Sequence, residues 1–335
     1  MRAVLIENEK GDASSLFIGD VPTPAPRAGE VLVKIKAFGL NRLDIVQRQG
    51  HYPPPPGAST ILGVEFSGIV TAIGEGVIQC KIGDEVLGLA GGGAYAEYIV
   101  TLATHLMHKP AHMSWVQAAS IPENFLTAFQ TLFLCSNLKA GEDVLIHAAA
   151  SGVGLAAIQL ARHHGARTVI GTASSTEKLD MILNMTNGAT HAANYRTTDF
   201  VEVVKQATGG KGVEVIIDLV GQSHWAKNIA SLALEGRMTL VGFVSGTIVP
   251  SVDLMPILVK RLHIEGSTLR SQKAAYQADL IAQFEKQVLH LITGDDGLGP
   301  IKTSIHKVYP WTEIQEAHRE MEANKNSGKI IAEVV

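Results

Sequence analysis

Val144-Leu145-Ile146-His147-Ala148-Ala149-Ala150-Ser151-Gly152-Val153-Gly154-Leu155 is the stretch on which the fold turns. Residues 144–149 have the character of a buried strand. Residues 152–164 follow with a helical pattern, and Gly165 stops it. Small side chains at such a junction let the backbone come close to a pyrophosphate, whose charge the free N–H groups of the helix start would bind. A strict G-x-G-x-x-G pattern would place glycine at 149, 151 and 154, where this chain has Ala149, Ser151 and Gly154. Alone, the turn is equally a tight β–α connection packed on its neighbours. The strand before it, with a helix and a second strand after it, selects the phosphate-binding alternative.

Downstream, residues 168–172 form a second strand and 177–187 a second helix, ending at Gly188. A strand at 213–220, a helix ending near Gly236 and a strand at 237–244 follow. Alternating strands and helices predict a parallel sheet covered on both faces, a doubly wound α/β fold. Upstream the rhythm differs. After the Pro22–Glu30 turn segment, Val33, Ile35 and Ala37 share one face and Leu32, Lys34 and Lys36 the other, the signature of a half-buried strand. Further short strands are expected at 64–73, 85–89 and 94–101, suggesting an antiparallel, barrel-like module. The chain ends in an amphipathic helix at 311–326 and an apolar strand at 329–335, which is expected to return to that first module.

With 335 residues, 46% of them hydrophobic, two domains with substantial cores are expected. A net charge of −4 and no long Lys/Arg run argue against a nucleic-acid or anionic-membrane partner. No apolar run approaches the ~18 residues needed to span a bilayer. The cysteines, Cys80 and Cys135, make neither a disulfide framework nor a zinc-ligand set, so a reducing, cytoplasmic setting is expected.

The end of the second strand indicates which dinucleotide binds. NAD sites commonly place Asp or Glu there to accept from the ribose hydroxyls. Here the sequence is Gly171-Thr172-Ala173-Ser174-Ser175-Thr176-Glu177-Lys178, with hydroxyls and a cation but no acid at the strand end. That suits a 2′-phosphate and hence NADPH, although Lys178 is also compatible with a solvated first-turn lysine.

Together with Gly29-Glu30-Val31-Leu32-Val33, Leu40–Asp44, Gln47–Gly57, Leu62–Gly68, Lys81–Asp84 and Pro122–Gln130, these features resemble the medium-chain dehydrogenase/reductase superfamily, in its quinone oxidoreductase branch. The resemblance spans essentially the whole chain. It implies a GroES-like β-barrel catalytic domain from 1–122 and 306–335, and a Rossmann domain from 123–305 with strand order 3-2-1-4-5-6. The active site would lie in a cleft between them, and a homodimer would form through the Rossmann domain, with 262–266 as its outer strand. Cofactor positions carried over are Thr127 near the nicotinamide amide, Ser151, Gly152, Val153 and Gly154 at the pyrophosphate, and Ser174, Lys178 and Tyr195 at the 2′-phosphate. Gly221, Gly242, Phe243 and Val244 would border the nicotinamide, with Leu269, Arg270 and Asn326 as further matches.

Zinc-dependent relatives hold their metal with a Cys in the segment matching 38–44 and a His directly before Glu65. This chain has no Cys in the former and Val64 at the latter, so no metal is expected. His105, His108 and His112 are interrupted by Pro110 and are expected on a surface loop. His163 and His164 are expected at a helix end, where positive charge suits the dipole. Without a Lewis acid, a conjugated acceptor is the fitting substrate, because incoming charge delocalises and hydrogen-bond donors supply the rest. Tyr52, presented before the stiff Pro53–Pro56 run, and Asn41, the family's cleft asparagine, are the candidate catalytic donors. Each has a plainer reading, as a packing tyrosine and a turn residue. The implied activity is NADPH-dependent quinone reduction. A 2-alkenal or enone reductase, and a non-enzymatic NADPH-binding redox sensor, are the alternatives.

Overall fold

A computed structural model describes residues 1–294 and 299–335. The chain divides into two compact units. One comprises Met1–Leu126, Leu269–Gly299 and Thr303–Val335, and the other Thr127–Thr268 with Pro300–Lys302. The expected division kept 269–305 with the Rossmann domain. Residues 269–299 group instead with the first unit, where the helix Ala274–Phe284 begins beside His105, whose Nε2 is 3.4 Å from the Ala274 carbonyl.

The second unit is built on a six-stranded parallel sheet in the order His191–Asn194, Thr168–Ala173, Asp143–Ile146, Val213–Asp218, Leu232–Leu240, His263–Gly266. Numbered along the chain this is 3-2-1-4-5-6, the doubly wound Rossmann order. Asp143–Ile146 and Thr168–Ala173 are buried along their whole length, as strands covered on both faces must be. The helix Gly152–His163 starts at Ser151, whose hydroxyl accepts from the Gly154 N–H at 3.1 Å. Gly165, at φ +91°, ends it in a conformation that glycine adopts without strain. The helix Trp225–Ser231 is shorter than its sequence pattern suggests. Leu232 is already extended, is buried and pairs with Val213, so the fifth strand begins before Gly236.

In the first unit the strand Glu30–Gly39 is the hub. It pairs antiparallel with Glu65–Ile73, Tyr98–Leu102 and Lys329–Glu333. Its alternation holds, with Val33, Ile35 and Ala37 buried and Lys34 exposed. Phe38, Phe66, Tyr95, Trp311 and Ile330 fill the core beneath it. The last helix runs Ile314–Glu322 after a tight turn at Trp311–Glu313, and closes soon afterwards where Asn324 takes φ +54°. No helix among the described residues is long and apolar enough to cross a membrane.

The C-terminal strand is tied in by its first residue. Lys329 Nζ donates to the Leu40 carbonyl at 2.9 Å, to Asn41 Oδ1 at 2.8 Å and to Glu65 Oε1. Both ions of the pair are buried. Removing one partner of a buried pair costs about 3–5 kcal/mol, because the other charge is stranded. Lys329→Met should therefore lower unfolding stability by roughly that amount in denaturant titrations, and adding Glu65→Gln should recover part of it. Equal stability of Lys329→Met and the wild type would remove this tie from the account.

Candidate active site

The turn after the first Rossmann strand is shaped by close packing. A Cβ at Gly154 would sit 2.5 Å from the Ala148 carbonyl oxygen and 2.6 Å from that of Ala149, so only glycine lets the helix start this near the strand. Ala148 takes φ +48°, and Ser151, Gly152 and Val153 are half-buried at the helix start. At the end of the second strand, Ser175 caps the helix Thr176–Asn184 by accepting from the Lys178 N–H. Its hydroxyl also lowers the pKa of exposed Glu177. Ser174 and Lys178 are half-buried, and Tyr195, at the end of the third strand, is exposed.

His147, inside the turn, carries a role that sequence patterning gave no sign of. Its imidazole is fully buried, 2.8 Å from Thr172 Oγ1 through Nδ1 and 2.7 Å from Asn228 Oδ1 through Nε2. Asn228 Nδ2 donates to Asp218 Oδ2 at 3.1 Å, which makes Oδ1 the acceptor end of that amide. His147 thus carries its proton on Nε2 and accepts the Thr172 hydroxyl at Nδ1. Burial pushes its pKa down to about 4, so the ring is neutral. Asp218 also accepts from Val220 N at 2.7 Å and Gly221 N at 3.1 Å. The chain of bonds therefore locks the carboxyl ends of three adjacent strands.

The next two loops are brought together as well. Gly221 has φ +84°, and a Cβ there would meet Phe243 Cδ1 at 2.7 Å. Ser245 N donates to the Val220 carbonyl and Gln222 N to that of Gly246. Phe243 thus lies against Gly221, and Gly242 and Val244 against Leu219, with Phe243 and Val244 exposed. Thr127 is buried in the helix Pro122–Phe129.

In the first unit, Asn41 begins the helix Arg42–Arg48. Its backbone N–H donates to Asp44 Oδ2 at 2.8 Å, while its side-chain Nδ2 donates to Glu65 Oε1 at 2.8 Å. Glu65 Oε2 accepts from the Glu123 N–H at 2.8 Å. Buried Asp44 accepts from Gly63 N and the Tyr95 hydroxyl, both at 3.1 Å, yet burial outweighs these bonds and pushes its pKa up to about 6. Behind Tyr95, His318 Nδ1 accepts from Arg48 at 2.9 Å, and Arg48 also meets Glu322. Burial, then Arg48, pushes His318 down to about 3.

Arg270 lies 5.6 Å from the centroid of the half-buried Tyr52 ring, a cation–π contact, and its Nε donates to the Gly91 carbonyl at 2.8 Å. Leu269 is buried beside it, and Asn326 is held locally by a bond to the Gly328 carbonyl. The structure therefore groups Tyr52, Asn41 and Arg270 in the first unit. Ser151–Gly154, Gly221 and Gly242–Val244 stand at strand ends of the second. Glu65 is joined by Glu123, which lies in the Pro122–Gln130 stretch but to which the sequence assigns no role of its own. One sequence expectation changes. His105, expected on the surface, is 6% exposed, and His105 and His112 turn to the separate carbonyls of Ala274 and Thr293.

Residues 27–111 match the family model described as alcohol dehydrogenase GroES-like domain, and residues 152–286 the one described as zinc-binding dehydrogenase. The synaptic vesicle membrane protein VAT-1 homolog of Rattus norvegicus is 34% identical over 322 residues, covering 92% of this chain and 78% of that protein. Quinone oxidoreductase of Homo sapiens is 31% identical over 334 residues, covering 99% and 97%. The crystal structure of Escherichia coli quinone oxidoreductase complexed with NADPH superposes with a TM-score of 0.87 at 30% identity, covering 100% of each chain.

A neutral, buried His147 has a consequence in acid. The unfolded chain takes up this proton near pH 6.5, the folded protein only near 4, so its contribution to stability is lost as pH falls through that window. His147→Gln should therefore make the fall in unfolding free energy between pH 6.5 and 4.5 shallower, by up to about 1.4 kcal/mol per pH unit. Denaturant titrations at stepped pH measure this, and parallel curves for variant and wild type would count against it.

Proposed function

Because the chain belongs to the medium-chain dehydrogenase/reductase family, in the branch of quinone oxidoreductases and VAT-1 homologues, we propose that it is an NADPH-dependent, zinc-free reductase of quinones or similar conjugated carbonyls. One observation carries the cofactor choice. The second Rossmann strand, Thr168–Ala173, is followed by Ser174, Ser175 and Lys178 with no carboxylate at the strand end. The glycine-tight turn at Ser151–Gly154 fits a pyrophosphate, and Ser174, Lys178 and Tyr195 would hold the 2′-phosphate. When bound, NADPH supplies a hydride from its nicotinamide ring. Thr127, Gly221 and Gly242–Val244 would flank that ring, with Leu269, Arg270 and Asn326 as further cofactor contacts.

Zinc does not suit the residues present. Val64 replaces an imidazole, and both Glu65 oxygens are already taken by Lys329, Asn41 and the Glu123 N–H. The acceptor must then be one that spreads incoming charge, with protein donors completing its stabilisation. Tyr52 would donate its hydroxyl hydrogen bond to the acceptor oxygen. Asn41, fixed by Glu65 and Lys329, would orient its remaining amide N–H.

Three outcomes check this. Lys178→Glu should raise the KM for NADPH at least tenfold while leaving that for NADH nearly unchanged; equal losses would remove the 2′-phosphate assignment. Tyr52→Phe should slow quinone turnover without weakening NADPH binding by fluorescence titration, and unchanged turnover would leave Tyr52 a wall residue. Assays against ortho-quinones, para-quinones and 2-alkenals separate quinone reduction from enone reduction. Tight NADPH binding with no turnover on any of them would replace both with a sensor role.

We also propose a homodimer through the second unit. The sheet edge is the strand His263–Gly266, and Leu254, Met255, Leu258 and Val259 stand exposed on the preceding segment. Leu258→Glu should shift the sedimentation coefficient from dimer to monomer; a monomeric wild type would end the proposal.

A further inference from the structure

Glu123 stands in the first turn of the helix Pro122–Phe129 with its carboxyl buried. Its Oε2 makes no hydrogen bond among the described residues, although its backbone N–H is spent on Glu65. Arg270, 4% exposed, likewise keeps both terminal guanidinium nitrogens unpartnered and buried. Asp44, Tyr52 and Glu123, all in the first unit, act on Arg270 electrostatically, and the Tyr52 ring centroid is 5.6 Å from its guanidinium carbon. Glu123 and Thr127 are four residues apart and share a face of their helix. An acid oxygen and two cationic N–H groups that have no hydrogen-bond partner among the described residues are disposed to receive a polar guest atom.

The groups that face Glu123 decide its charge. Glu65 and Asp44 are carboxylates, on the strand Glu65–Ile73 and the helix Arg42–Arg48, and both oppose its ionisation. Lys329, on the last strand, and Arg270 favour it. Burial is the largest influence, and with the two acids it outweighs the two cations, pushing Glu123 up to about 8.

Resting on the reductase reading above, we propose that Glu123 is the proton donor of the reaction, a buried acid that protonates the oxygen left anionic when the acceptor receives hydride. The acceptor gains two electrons and one hydrogen as hydride, and the reduced nicotinamide becomes oxidised. The Glu123 O–H bond breaks as the product O–H bond forms. The Glu123 carboxylate regains its proton from water after product leaves. Arg270 stabilises the oxyanion before that transfer and the carboxylate after it.

The first test needs no cofactor. A buried acid with a raised pKa contributes stability below its unfolded value near 4.5 and loses it as pH rises through about 8. The melting temperature of the wild type should therefore fall relative to that of Glu123→Gln between pH 6 and 9. The second is steady-state turnover with NADPH and a para-quinone. Glu123→Gln should lose about 100-fold in kcat, keep its KM for NADPH, and lose the fall in kcat above pH 8, while Glu123→Asp should recover part of the rate. A Glu123→Gln enzyme with wild-type kcat and pH profile overturns the proposal, as does a melting difference that does not change with pH. A wild type inactive on every conjugated carbonyl overturns the reductase reading, and this proposal with it.

Discussion

The buried contact between Lys329 and Glu65 holds together parts of the first unit that are far apart in sequence. Lys329 begins the C-terminal strand, Glu65 begins a strand in the first half of the chain, and Asn41 joins them at a helix start. Desolvating both ions is expensive, and their attraction repays it only when the remaining donors and acceptors are satisfied. Here they are satisfied, with the ammonium bonded three ways and the carboxylate accepting from Lys329, Asn41 and the Glu123 N–H. The same contact fixes the amide of Asn41 and the start of the helix that carries Glu123. Fold closure and the placement of polar groups in the first unit are therefore one problem with one solution.

The second unit solves a similar problem with neutral groups. Thr172, His147 and Asn228 form a directed chain of hydrogen bonds ending on Asp218, which in turn gathers the backbone N–H groups of Val220 and Gly221. Each donor meets an acceptor, so this polar core specifies one arrangement of three strand ends instead of several. The loops at these strand ends are thereby supported from below.

Much of this architecture was legible in the sequence. The strand-to-helix change at Ser151 and the alternation through Val33, Ile35 and Ala37 are local patterns, and local patterns report local structure. The return of the last strand to the first module also followed from its apolar character. The limits of domain and helix were less legible. Residues 269–299 follow the Rossmann segment without a break in the sequence, and only tertiary packing assigns them to the first unit. Leu232 is apolar enough for either helix or strand, and its pairing with Val213 decides between them. Within the site, Tyr52 stands out because it precedes the stiff Pro53–Pro56 run, and Asn41 because it matches the family's cleft asparagine. His147 and Glu123 do not, because a polar residue inside an apolar run gains its meaning from partners such as Asn228, 81 positions away, or Glu65, 58 positions away.

Charge pairing explains why Glu123 differs from its neighbours. Glu65 has Lys329, and Arg48 has Glu322. Asp44 accepts three hydrogen bonds and has Arg270 and Lys329 within electrostatic reach. Glu123 would be one more negative charge beside Glu65 and Asp44, with Lys329 already bound to Glu65 and Arg270 making no hydrogen bond to it among the described residues. Its Oε2 has no hydrogen-bond partner among the described residues to offset the loss of water. Keeping the proton is then the state of lower energy at neutral pH, and giving it up becomes favourable when another negative charge develops on a nearby atom of higher basicity. The same burial that makes this carboxyl a poor structural anion makes it a competent acid at the pH where a nicotinamide-dependent reduction has to run.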